Sequence, residues 1–185
     1  MILEISVLEI KARQQKFLIN LKSNHCDAAL LFSVTDIFYL TGFNFRPSER
    51  PIALIVDAQG VFSLFVPRME VEHAQEYAVI STTYDYPEYP GTTHPMEYLK
   101  KVLQDKSFGS LSVGLDAEGY GSAKGYAGPS ITSLITFASK VSIKGLVEEQ
   151  RYIKSSAEIE LIKESARWGN LAHSLLAKYT HAGGR

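Results

Sequence analysis

The sequence predicts an α/β domain of three layers, with helices on both faces of a mixed, mostly parallel sheet. Short, wholly apolar runs alternate with segments whose apolar residues repeat at helical spacing, the pattern of strands covered on both sides with helices packed over them. One pair of apolar runs is joined only by Asp57-Ala-Gln-Gly60, which adds an antiparallel hairpin to the set. No internal repeat or low-complexity tract interrupts this alternation.

Ser6 with Glu9 three residues on reads as a capping box, and Ile10, Phe17, Leu18 and Leu21 follow on one helical face with Lys11, Arg13, Gln15 and Lys16 outside. Residues 28–32 are wholly apolar and predict a buried strand. Thr35-Asp36 caps a helical turn over 37–40 that Gly42 ends, and an exposed loop follows over 44–50. Residues 52–56 and 61–66 form a β-hairpin around the Asp57 to Gly60 turn, where Asp favours turn entry and Gly supplies a positive φ. Pro67 fits the first turn of a helix with Glu70 and Glu72 near its positive end and Val71, Ala74 and Ala78 inward. A strand is predicted over 79–84, and irregular structure over 84–91, which two prolines and a glycine interrupt. Helix returns at Pro95 with Met96, Leu99, Val102 and Leu103 inward, followed by a strand over 111–115, a helix over 126–138 and a short strand over 140–143. Ser155 and Glu158 form another capping box and open a long helix, in which Ile159, Ile162, Ala166, Ala172, Leu175, Leu176 and Tyr179 recur until Gly183-Gly184. At 1.5 Å per residue that helix spans roughly 39 Å, long enough to need a larger body to pack on.

Composition excludes several function classes. A net charge of −1 offers no phosphate-binding surface, so no nucleic-acid partner is expected. No apolar run is long enough for a membrane span, and the N-terminus lacks a basic-then-apolar leader, so no membrane partner is expected. The single cysteine, Cys26, rules out an internal disulfide and fits a reducing cytoplasm.

Sites of chemistry are sparse. Glycines 119, 121 and 125 follow a strand in the manner of a dinucleotide loop, yet Asp116 and Glu118 precede them where a pyrophosphate would sit, and two carboxylates repel it. Gly128-Pro-Ser130 lacks the second glycine of a nucleophile elbow. The five histidines never pair at i, i+4 spacing and belong to no carboxylate set, so they read as surface or helix-end residues and no metal site is expected here. The best candidates for substrate contact are Phe43, Phe45, Arg46 and Arg50, since arginine grips a carboxylate bidentately and an aromatic ring covers a proline ring. Arg50 reads equally as a bridge to a nearby carboxylate. The tyrosine-rich stretch from Tyr84 to Tyr89 is a second candidate surface, or a packed lid.

Five short motifs carry a resemblance to a known family. Tyr39-Leu-Thr-Gly-Phe43, Glu49-Arg50-Pro51, Pro67-Arg68-x-Glu70, Val113-Gly114-x-Asp116 and, most extensively, Arg151, Ile153-Lys154-Ser155, Glu158-Ile159-Glu160 and Ile162 are similar, in order, to motifs of the metallopeptidases that include Xaa-Pro aminopeptidases, prolidases and creatinase. The resemblance implies that residues 1–150 are the non-catalytic N-terminal domain, of ribonuclease H-like fold. Residues 151–185 would then be the linker and first helix of a "pita-bread" catalytic domain absent from this chain. It further implies a homodimer acting on peptide substrate, and two divalent metals (Mn, Co or Zn) held by that further domain, with no cofactor and no catalytic residue in this chain. In such dimers the N-terminal domain of one subunit reaches the active site of the other, which is the role expected of the loop bearing Phe43, Phe45, Arg46 and Arg50. The alternative is a catalytically dead relative that binds protein.

Overall fold

The apolar runs form strands β1 (Ala28–Leu31), β2 (Ala53–Val56), β3 (Phe62–Pro67), β4 (Thr82–Tyr86), β5 (Ser112–Leu115) and β6 (Ser139–Ser142) in a computed structural model that describes residues 4–87, 91–121 and 125–183. They make one sheet in the order β4-β3-β2-β1-β5-β6. The junctions β1–β2 and β2–β3 are antiparallel, while β3–β4, β1–β5 and β5–β6 are parallel. Every residue of β1, β2 and β3 is buried, which requires cover on both faces of the sheet. The cover comes from α1 (Val7–Ser23), α2 (Val34–Thr41), α3 (Val71–Tyr77), α4 (Pro95–Asp105), α5 (Ile131–Leu134) and α6 (Leu146–Tyr152). A last helix, α7 (Ser156–Tyr179), buries none of its residues.

Local chemistry sets most boundaries. Asp57 accepts the N–H groups of Gln59 and Val61 to close the hairpin turn, and Gly60 takes φ 75° there. Burial alone would raise the Asp57 carboxyl, but Lys106, 2.8 Å away, and these amides outweigh it and hold the group below its usual range. The cap of α7 is complete: the Ser155 hydroxyl accepts from the Glu158 N–H and the Glu158 carboxylate accepts from the Ser155 N–H. At α1 only half a box forms, because the Glu9 carboxylate turns from Ser6 toward Arg13 and Ser155.

Several expected boundaries move. Ser33, not Thr35-Asp36, caps α2, its hydroxyl facing the Asp36 N–H. Pro67 ends β3 instead of opening a helix; with ψ 147° it leads into a 3-10 turn (Arg68–Glu70) before α3. The strand expected over 79–84 lies at Thr82–Tyr86, so Asp85 and Tyr86, expected to be irregular, are strand residues ahead of the first proline. The helix expected over 126–138 shrinks to α5, because Gly128-Pro129 lies ahead of it and Ile135 turns extended. Helix α6 was not expected; its signals are Gly145 at φ 90°, Glu148 and Glu149 in the first turn and Arg151 in the last.

The parallel pair β1 and β5 marks the point where the chain departs in opposite directions, β1 toward β2 and β5 toward β6. Asp116 follows β5, and its carboxylate accepts the N–H groups of Phe32 and Ser33 at 2.8–2.9 Å beyond the end of β1. Burial pushes this carboxyl up to about 6, against the pull of those amides. The folded chain therefore keeps a proton through the range from about pH 4 to 6 that the unfolded chain has lost, so this group's contribution to stability falls as pH rises across that window. Relative to Asp116→Asn, the natural chain is expected to lose about 2–3 kcal/mol between pH 4 and pH 7 in urea denaturation, and parallel profiles would contradict the assignment. Gly114 leaves room for α1 to approach the sheet, since a Cβ there would lie 2.9 Å from Ile143 Cγ2 and 3.1 Å from Leu21 Cδ1. Gly114→Ala is expected to cost about 1–3 kcal/mol by overpacking, and an unchanged denaturation midpoint would show that the layer yields instead.

Candidate functional site

The loop ahead of β2 leaves the sheet at the end where β1 finishes, since Leu31 pairs with Leu54. Its entry is rigid. Gly42 ends α2 at φ 79°, where an added Cβ would press on Ile10 Cδ1 at 3.2 Å. The Thr41 hydroxyl donates to the Ile37 carbonyl and accepts the Phe43 N–H, while the Thr41 carbonyl accepts the Val79 N–H. The exit is pinned where the Tyr86 hydroxyl donates to the Pro51 carbonyl at 3.0 Å.

Between these anchors the expected site residues divide. Phe43 is a core residue with no exposed surface, which corrects its expected place among exposed contacts: its ring is drawn in to pack on the Phe45 ring (6.1 Å, stacked) and His73 (5.0 Å). Phe45 lies half-buried over it, and Arg46 is exposed with no ion pair among the described residues. Arg50 is half-buried and pairs with Glu49 at 2.8 Å, the bridging role weighed for it. The structure thus brings Phe45 and Arg46 together at the surface, with Phe43 as their support.

His73 was read only as a surface or helix-end residue, yet it extends this aromatic row. Its Nδ1 lies 2.8 Å from the Glu70 carboxylate, and its ring meets Tyr77 edge-on at 5.5 Å. The sequence signal was the i, i+3 spacing of Glu70 and His73. Across the loop, Tyr120 lies against Ser48 and Glu49 and packs edge-on with Tyr126, which packs on His94 in turn. Tyr86 is fully buried and stacks on Phe65, so it is a core ring and no part of a tyrosine surface. Glu88 and Tyr89, the last two residues of that stretch, lie outside the described residues.

Other chemistry finds little support in the geometry. Gly119 leaves space for Ser130, and Gly128 for His94, so these glycines serve close packing, and the helix that follows them is a single short turn. Asp116 is engaged with Phe32 and Ser33, and residues 122–124 of the glycine loop lie outside the described residues. Among the described residues no group of three or more His, Cys, Asp or Glu could hold a metal ion. No described helix is long and apolar enough to cross a membrane.

Comparison with known proteins agrees with this architecture. The chain is 27% identical over 155 residues to an uncharacterized peptidase of Staphylococcus haemolyticus, covering 83% of this chain and 40% of that protein. It therefore spans less than half the length of that relative. The fold is similar to a proline dipeptidase structure from Streptococcus pneumoniae, with a TM-score of 0.61 and 25% identity over 76% of this chain and 98% of that one. It is also similar to the prolidase of Thermococcus sibiricus, with a TM-score of 0.74 and 19% identity over 97% of this chain and 46% of that one. Residues 13–153 match the Creatinase/Prolidase N-terminal domain, and the chain belongs to that family.

Proposed function

We propose that this chain is the non-catalytic N-terminal part of an Xaa-Pro dipeptidase- or aminopeptidase-like metallopeptidase of the cytoplasm, which positions substrate and builds a homodimer. In this reading residues 1–150 form the domain, and residues 151–185 form the linker and first helix of a catalytic domain. That domain hydrolyses Xaa-Pro bonds with two divalent ions, Mn, Co or Zn, held by residues outside this chain. Arg46 offers an exposed guanidinium to a peptide carboxylate, and the edge of Phe45 offers apolar cover for a proline ring. Phe43 and Arg50 act behind them, one as a buried support and one as a brace on Glu49.

One observation carries the reading. The Streptococcus pneumoniae structure is matched almost in full by three-quarters of this chain, whereas the longer prolidase matches nearly all of it, α7 included. Helix α7 also exposes Ile162, Trp168, Leu171, Leu175 and Leu176. Such a row is stable in water only at a cost, and it supports a further body of protein against α7.

The test is Mn²⁺- or Co²⁺-dependent hydrolysis of Xaa-Pro dipeptides and longer Xaa-Pro peptides, by this chain and by a polypeptide of the relatives' full length. Hydrolysis is expected only from the longer polypeptide, and Arg46→Ala there is expected to raise KM about tenfold or more with a smaller change in kcat. An unchanged KM would remove Arg46 from the substrate site. No hydrolysis by either folded protein would favour a catalytically dead protein-binding relative.

A further inference from the structure

Arg13 was expected on the outer face of α1, yet its side chain is only 10% exposed and joins three elements. Its guanidinium lies 4.2 Å from the centre of the Tyr39 ring and donates to the Tyr39 carbonyl at 3.2 Å, both in α2. It also bridges the carboxylates of Glu9, on its own helix, and Glu158, in the first turn of α7 at 3.5 Å. Neither carboxylate is spare. Glu9 accepts the Ser155 hydroxyl at 2.8 Å, and Glu158 accepts the Ser155 N–H at 2.8 Å. One cation therefore holds two acids that both grip the α7 cap.

The neighbouring side chain continues the connection. Gln14 donates to the carbonyls of Leu40 and Val79, so α1 grips the last turn of α2 at consecutive residues. Thr41, Gly42 and Phe43 follow directly, and Phe43 supports Phe45 and Arg46. The Tyr39 hydroxyl reaches the Gln150 carbonyl, which brings α6 into the same assembly. An unbroken path of packed and hydrogen-bonded groups thus runs from the cap of α7 through Arg13 to the site loop.

Leverage makes this consequential. Because α7 buries no residue along its 24-residue length, its direction is set at its first turn. The helix is about 36 Å long, so a tilt of about 10° at the cap displaces its far end by about 6 Å. Removing Arg13 leaves Glu9 and Glu158 as like charges at the cap, each with about a fifth of its side chain exposed.

We propose that Arg13 is a positioning residue that couples the direction of α7 to the setting of the 42–46 turn, holding helix and loop as one unit. The consequence for substrate rests on the function proposed above; the coupling itself does not.

The experiment is amide hydrogen exchange by NMR in this 185-residue chain, comparing Arg13→Met with Arg167→Met, which removes an exposed pair with Glu164 on the surface of α7. Arg13→Met is expected to speed exchange about tenfold or more at two separated places, the Glu158 and Ile159 amides and the Gly42 and Phe43 amides, with Ile55 in β2 unchanged. Arg167→Met is expected to change neither. Faster exchange at α7 alone, or at neither place, would overturn the coupling. Should Arg13→Met fail to fold, Glu158→Gln keeps a cap acceptor but removes the charge facing Arg13. It must then move both places together by a smaller factor, and silence at Gly42 and Phe43 overturns the proposal. Linked exchange with an unaltered KM for Arg46→Ala in the longer polypeptide would sink the substrate role of the loop and leave the coupling standing.

Discussion

Three adjacent strands, β1, β2 and β3, bury every residue they carry, and the rest of the structure answers to that double coverage. A strand covered on both faces has no room for polar side chains, so chemistry is displaced to the ends of the sheet. The buried Ser63 in β3 is the exception within these three strands. At the end where β1 finishes, the loop ahead of β2 and the segment after β5 leave side by side. Asp116 supplies acceptors there for two amides beyond β1, and the burial this demands raises its carboxyl toward neutrality. Such a position follows from topology: it is the place where neighbouring parallel strands hand the chain to opposite sides.

The candidate site is built on the same core. Phe43 is withdrawn into the interior, a burial worth about 2–3 kcal/mol, and so fixes a loop that otherwise consists of short polar and proline-containing stretches. Phe45 stacks on it and Arg46 stands beyond, so an exposed cation and a ring edge are presented from a base that does not move freely. His73 and Glu70 complete the support from α3 and the 3-10 turn before it. An exposed guanidinium and a ring edge side by side are the pairing on which the proposed substrate role of this loop rests.

Much of this was legible in the sequence. Period and punctuation fixed the hairpin, the buried strand at Ala28–Leu31, the helix starting at Pro95 and the complete cap of α7, because those depend on neighbours within a few residues. The misses have tertiary causes. Pro67 reads as a helix opener, but pairing with Tyr86 draws it into β3. The stretch over 126–138 carries helix-like apolar spacing, but Gly128 is packed against His94 and Pro129 stiffens the approach, leaving only α5. Arg13 looked like solvent-facing charge because nothing local announces that Glu158, distant in sequence, lies beside it. Likewise Phe43 read as an exposed loop contact because nothing local announces that His73 and Phe45 enclose its ring. Local patterns specify elements, whereas the site emerges from contacts between them.

The function proposed above places further protein against the exposed apolar side chains of α7. The most direct measurement is hydrogen-exchange mass spectrometry of the segment 159–176, in this chain and in a polypeptide of the relatives' full length. The account predicts rapid exchange beyond the first turn of α7 in this chain and strong protection in the longer polypeptide, with β1 to β3 equally protected in both. Equal exchange along α7 in the two proteins would contradict it, and would mean that the exposed apolar row serves some other contact.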